Sequence, residues 1–230
     1  MTIKAGALAL PLALMTAAAP ARALAQTTLA DTCPPPLERR VDASPRRVVR
    51  ITLYNNSPIQ PADVDRLITV ANTIWMQYGV TIERGGGPGA VAVILTDRAS
   101  HLPGEYGPLV LGSTLFTQGH ATPYITLSLT AAEELADGSS EGGISFTARP
   151  VHQRVDMLMR ILGVAFAHEM AHYLLDTSRH SSAGLLQRGL SVHELSYPDL
   201  TYLKLTPEQQ RLLPAAAPSP NCGGAPHSHD

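Results

Sequence analysis

The stretch that most constrains this chain runs over residues 151–175. Its apolar side chains fall at Val151, Val155, Leu158, Ile161, Leu162, Ala165 and Phe166, the three- and four-residue spacing of one face of an α-helix. Small and apolar residues crowd the remaining turns, so the spacing predicts a long, largely buried helix. Its second half nevertheless carries His168, Glu169 and His172. A buried Glu rarely persists without a partner, because water solvates an isolated carboxylate far better than hydrocarbon does.

Residues four apart on a helix lie on one face, one turn above the other. His168 and His172 can therefore reach a single zinc ion at about 2.0–2.1 Å. Glu169 is offset around the helix, close to such an ion yet free to act on a water bound to it. Zinc lowers the pKa of that water toward 7, within range of a carboxylate general base. The run His-Glu-Met-Ala-His thus encodes a ligand pair and a base together. A lone His in a helix is usually structural, but two of them flanking a Glu on a buried, Ala-rich helix are not readily explained that way.

A catalytic zinc takes three protein ligands and keeps one position open. Three residues compete for the third place. His180, eight residues past His172, is the leading candidate. Asp176, Thr177 and Ser178 precede it and favour turns and helix ends, so a reversal there brings His180 back toward the metal. Asp176 lies one turn beyond His172 if the helix continues. Glu194 could supply a carboxylate from another element.

The rest of the chain predicts an α/β fold. Strands are expected over 47–54, 80–83, 91–95, 109–116 and 124–129, with 91–95 as a buried central strand. Asn55, Asn56, Ser57 and Pro58 break the first of them. A helix is expected over 61–78, opened by Pro61 and stopped by Gly79. Residues 130–145, rich in Gly and acids, predict a surface loop. Thr206, Pro207 and Gln209 mark the start of a short final helix ending at Leu213. The glycine-rich residues 85–89 do not form a phosphate-binding pattern, because no Gly-Lys-Ser/Thr follows.

Residues 1–25 have the layout of a secretory signal peptide: Lys4, an Ala- and Leu-rich run, and the small-x-small site Ala23-Leu24-Ala25. The run is too short for a comfortable membrane span. Its removal leaves 205 residues, which suits one domain with a sizeable core. Lys4 and Arg22 leave with it, which takes the net charge from −2 to −4 and gives no sign of a nucleic-acid partner. The expected organisation is a signal peptide over 1–25, a Pro-rich leader over 26–46, one domain over 47–213 and a tail over 214–230. The expected location is secreted or periplasmic. Cys33 and Cys222 suggest a disulfide in an exported chain, and closing so long a loop would stabilise by about 5 kcal/mol. His227 and His229 in the tail suit at most weak metal scavenging.

The helix motif, the turn, His180 and the following Ser182-Ala183-Gly184-Leu185-Leu186 together resemble the metzincin group of zinc peptidases. The resemblance covers residues 48–213 in outline and 168–186 in motif. It implies a zincin-like α+β fold: a twisted, mostly parallel sheet with an edge strand, a backing helix, an active-site helix and a small irregular C-terminal part. It implies that His168, His172 and His180 hold zinc and that Glu169 is the base. Leu186 would stand where the group has a Met beneath the metal. The edge strand, residues 109–116, would bind a peptide or protein substrate as an added strand; His193 and Tyr197 follow the turn, where their place suits a structural role or donation to the developing oxyanion. The chain departs from the group at Leu175, where the group has Gly, and at Ser178, where it has its third His. The expected activity is that of a zinc metalloendopeptidase. A non-catalytic zinc-binding module and a zinc hydrolase of a non-peptide amide or ester share the same motif.

Overall fold

A computed structural model describes residues 47–98, 109–138, 144–197 and 199–214 of the chain. The first strand, β1 (Arg47–Asn56), alternates as its sequence requires, with Val49 and Ile51 buried on one face and Val48 and Tyr54 exposed on the other. It runs two residues past the expected break, because Asn55 and Asn56 pair with the central strand before the chain turns. The turn itself is held by the Asn55 side chain, which accepts from the Ser57 backbone and donates to the Ile59 carbonyl.

Helix α1 (Pro61–Trp75) opens with Pro61 in its first turn and continues as a 3-10 turn to Tyr78. Gly79 ends it in the left-handed conformation, φ 68°. The helix carries the chain from β1 to β2 (Val80–Arg84), which lies parallel to β1; a crossover of this kind is how parallel neighbours are joined. β3 (Val91–Thr96) pairs parallel with β1 on its other side. Its Val91, Val93 and Leu95 are fully buried, as a central strand demands.

The hairpin of β4 (Gly112–Thr117) and β5 (His120–Ser128) completes a five-stranded mixed sheet in the order β2-β1-β3-β5-β4. β5 is parallel to β3, whereas β4 is antiparallel to β5 and ends the sheet. The strand expected over 124–129 therefore begins four residues earlier. Gln118 and Gly119, at φ 54° and 87°, close a tight two-residue turn, so the polar residues from His120 onward pair with β4 instead of forming a loop.

The loop expected over 130–145 is corrected in its first part. Residues there form α2 (Leu129–Asp137), capped by the Ser128 hydroxyl, which accepts from the Ala131 N–H. The acids Glu133 and Glu134 occupy the outer face of this helix, while Leu129, Ala131, Ala132 and Ala136 face the core. Ala, Leu and Glu are good helix formers, and the small apolar residues between the acids supply the buried face that a loop would lack.

Helix α3 (Val151–Leu174) lies across the sheet against α1. It is exposed over its first turns and buried almost all round from Met157 onward. Two contacts fix it to α1. The Trp75 indole N–H donates to the Ala167 carbonyl at 3.2 Å, one residue before His168. At Gly163 the helices come so close that an added Cβ would lie 2.6 Å from the Val70 Cβ and 2.9 Å from the Leu67 carbonyl oxygen. After α3 come two short helices, α4 (Val192–Ser196), absent from the sequence expectation, and α5 (Pro207–Leu212), present in it. Both open with a capping box, Ser191 with Glu194 and Thr206 with Gln209. Among the described residues, no helix is long and apolar enough to cross a membrane. The signal peptide, leader, both cysteines, His227 and His229 lie outside the described residues.

Gly163→Ala is expected to destabilise the protein by about 1–3 kcal/mol through overpacking, although alanine favours helices by about 1 kcal/mol over glycine. A denaturant melt that shows an unchanged or higher midpoint would contradict the close crossing of α1 and α3.

Candidate metal centre

Helix α3 does not continue to Asp176. It closes with two bonds, Thr177 N–H to the His172 carbonyl at 3.1 Å and Asp176 N–H to the Tyr173 carbonyl at 3.3 Å. This pairing needs a left-handed residue just past the last helical turn, usually Gly. Here Asp176 takes that conformation at φ 46°, which Asp tolerates better than most side chains. Its carboxylate is then held by the β4–β5 hairpin, accepting from the Ala121 N–H at 2.7 Å and meeting His120 Nδ1 at 2.6 Å. The paired His120 and the Ala121 N–H keep the Asp176 carboxyl below its usual range. Asp176 therefore makes the reversal and is not positioned as a metal ligand. Leu175, where the resemblance expected a Gly, is an ordinary right-handed residue one position too early.

The reversal brings His180 back against α3. The ligand nitrogens of His168, His172 and His180 all lie within 4.8 Å of one another, close enough to bind a metal ion. His172 Nε2 is 3.1 Å from His168 Nε2, which is 3.3 Å from His180 Nε2. The other ring nitrogens explain this crowding. His168 Nδ1 meets the Leu185 carbonyl at 2.7 Å and His172 Nδ1 meets the Thr177 carbonyl at 2.6 Å. A carbonyl can only accept, so each Nδ1 carries the proton and each Nε2 is left with a free lone pair. The Nε2 atoms of His168 and His172, both unprotonated, have no hydrogen bond to share at 3.1 Å. The separations of 3.1 and 3.3 Å match those of ligands around one tetrahedral ion, about 3.4 Å for metal–nitrogen bonds of about 2.0–2.1 Å.

Electrostatics keep all three rings in the neutral form that a metal needs. Burial, with the nearby His172, lowers the His168 pKa to about 4. Burial also lowers His172 and His180, and Arg188 adds to the effect at His180. The Leu185 carbonyl that orients His168 belongs to a turn over residues 181–187, where Ser181 N–H donates to the Leu186 carbonyl and Gln187 N–H to the Gly184 carbonyl. The turn is stitched to Lys204, whose carbonyl accepts from the Leu185 N–H at 2.9 Å. Gly184 is required there: its φ is 81°, and a Cβ would lie 2.2 Å from the Lys204 carbonyl oxygen. Leu185 and Leu186 are both fully buried.

Glu169 is 8 % exposed and stands outside this group of three. Burial pushes its pKa up to about 7, against two hydrogen bonds from Thr114 that pull it down. Glu194, the other candidate ligand, is spent on the α4 capping box, where it accepts from the Ser191 N–H and hydroxyl. His193 and Tyr197 line a separate hollow of about 210 Å³ with Glu194 and Tyr202, and none of the three metal-site histidines lies in it. The structure thus brings together His168, His172 and His180, with Glu169 next to the first in sequence. The backbone acceptors at Thr177 and Leu185 had no side-chain signal in the sequence. Thr114 had one, as a polar residue facing inward on a strand.

No protein-family model matches the chain, and no curated protein matches it.

Two outcomes follow from this geometry. His180→Ala is expected to weaken zinc binding more than about 100-fold in a chelator competition, while Asp176→Ala and Glu194→Ala still bind the ion; the reverse pattern would reassign the third ligand. The second concerns pH. Because the folded-state pKa of Glu169 is raised from 4.5 to about 7, the cost of ionising it is absent below pH 4.5 and fully present above about pH 7. Chelated Glu169→Gln is therefore expected to be more stable than the chelated parent at pH 8, by up to about 3 kcal/mol, with the difference vanishing near pH 4. Parallel melts at the two pH values check this.

Proposed function

We propose that this chain is an exported, metzincin-like zinc metallopeptidase that hydrolyses peptide bonds with Glu169 as general base. The observation that carries the reading is the convergence of three neutral imidazoles, two of them oriented by backbone carbonyls, beside a buried carboxylate that is not a ligand. Three nitrogen ligands with a position left open suit catalytic zinc. A structural site would have no use for a base beside it.

Zinc held by His168, His172 and His180 would lower the pKa of a bound water and polarise a substrate carbonyl. Glu169 has the role of taking the proton from that water and handing it to the departing amine nitrogen. Its elevated pKa suits both directions of transfer near neutral pH. His168 and His172 keep their Nδ1 protons on backbone carbonyls throughout, which fixes each ring and raises its basicity as a ligand.

The sheet supports a peptide as substrate. β4 ends the sheet, antiparallel to its neighbour, and packs against α3. An extended peptide could pair along the outer edge of β4 and so lie beside the metal site. The mixed sheet, the motif on a buried helix and the turn over 181–187 support the zincin-like reading of the fold. Its departures from the group's pattern are absorbed by Asp176, which makes the helix reversal in place of the missing Gly.

Glu169→Gln is expected to bind zinc as the parent does and to lose peptide hydrolysis by several orders of magnitude, measured on a quenched peptide library. Undiminished activity in that variant would place the base elsewhere; cleavage of amide or ester probes alone would replace the peptide substrate.

A further inference from the structure

The inner positions of β4 meet α3 at the motif. Gly112 lies over Glu169 so closely that an added Cβ would be 2.9 Å from the Glu169 Cγ. The Thr114 hydroxyl is 2.9 Å from Glu169 Oε2 and 2.9 Å from the Glu169 backbone oxygen. The Phe116 ring stands edge-on to His172, centroids 6.4 Å apart. Among the described residues, Thr114 is the only hydrogen-bond partner of the Glu169 carboxylate.

We infer that Thr114 is a positioning residue for the Glu169 carboxylate, holding one oxygen so that the direction of the group is fixed. This rests on the proposed role of Glu169 as the base. A glutamate side chain turns about three bonds, and burial alone does not choose among its rotamers. The Thr114 hydroxyl shares its one proton between the Glu169 backbone carbonyl and the Glu169 carboxylate, so the carboxylate is referenced to the helix that carries His168 and His172. Gly112 supplies the room, since any side chain there would push Glu169 out of this rotamer. The hydroxyl bond falls on Oε2, so one edge of the carboxylate is fixed against the edge strand. Edge strand, base and helix thus meet in one set of contacts, and a misplacement of about 1 Å in a catalytic group can lower a rate about 100-fold.

The test uses full-length protein as Thr114→Val, Thr114→Ser, Glu169→Gln, Glu169→Ala and the Thr114→Val/Glu169→Ala pair. In zinc-loaded protein, Thr114→Val is expected to lower kcat about 10- to 100-fold with KM and zinc affinity unchanged, and Thr114→Ser to restore most of it. The second readout needs neither metal nor activity. In chelated protein, the Tm loss caused by Thr114→Val should be larger in the parent than in the Glu169→Ala background, which has no carboxylate for the hydroxyl to hold, so that the cycle isolates the pair. If valine is not accommodated and both melts are lost, Thr114→Ala gives the same two comparisons. Parent-like kcat in Thr114→Val, failure of Ser to rescue, or equal Tm losses in the two backgrounds would overturn the inference while leaving Glu169 as base. Parent-like activity in Glu169→Gln would instead remove the proposed function, and the inference with it.

Discussion

A helix buried nearly all round can carry two imidazoles and a carboxylate only if every polar edge finds a partner. That requirement organises this protein. The two His Nδ1 atoms are satisfied by main-chain carbonyls of Thr177 and Leu185, and the Glu169 carboxylate by the Thr114 hydroxyl. Each partner comes from a different element: the helix reversal, the turn over 181–187 and the edge strand. The fold surrounding α3 is therefore the set of acceptors and donors that allows α3 to be buried.

The same partners account for the charge state of the site. With a proton fixed on Nδ1 and burial opposing a second one, His168 and His172 stay neutral and direct their Nε2 lone pairs at a common point. Glu169 shifts the opposite way, since burial raises its pKa, so that one dry environment favours the neutral form of both kinds of group. Neither effect depends on rare geometry. Both follow from placing titratable groups on the one helix that the sheet, α1 and the C-terminal turn enclose.

Much of this was legible in the residues. The alternation of Val49, Ile51 and Leu53, the apolar run over 91–95 and the helical spacing over 151–175 located most of the α/β frame, and the four-residue gap between His168 and His172 located the site. His180 was legible because Asp176, Thr177 and Ser178 announced a reversal. What the sequence hid was the way in which the reversal is made. A continuing helix would present Asp176 to the metal, whereas its backbone turns left-handed and its carboxylate faces a hairpin. The extent of that hairpin was hidden too, because the Gln118-Gly119 turn extends β5 through polar residues with no apolar alternation. α2 escaped for a related reason: its buried face is built from alanines, which give a weak pattern. The Thr177 and Leu185 acceptors are backbone atoms, present at every residue, and no sequence marks which of them will be used.

The clamp between Asp176 and the β4–β5 hairpin joins residues 55 positions apart. The segment 151–180 contains every histidine of the site, yet a free peptide of that sequence lacks the hairpin that holds the chain in its left-handed turn. Closing a loop of that length carries an entropic cost that a short local contact avoids. The third imidazole is therefore delivered by tertiary structure, and the ion's affinity is coupled to docking of the sheet's edge onto the helix end. A metal ion held by the three histidines would thus depend on the assembled domain, and once bound it would hold closed a junction between two elements that are distant in the chain.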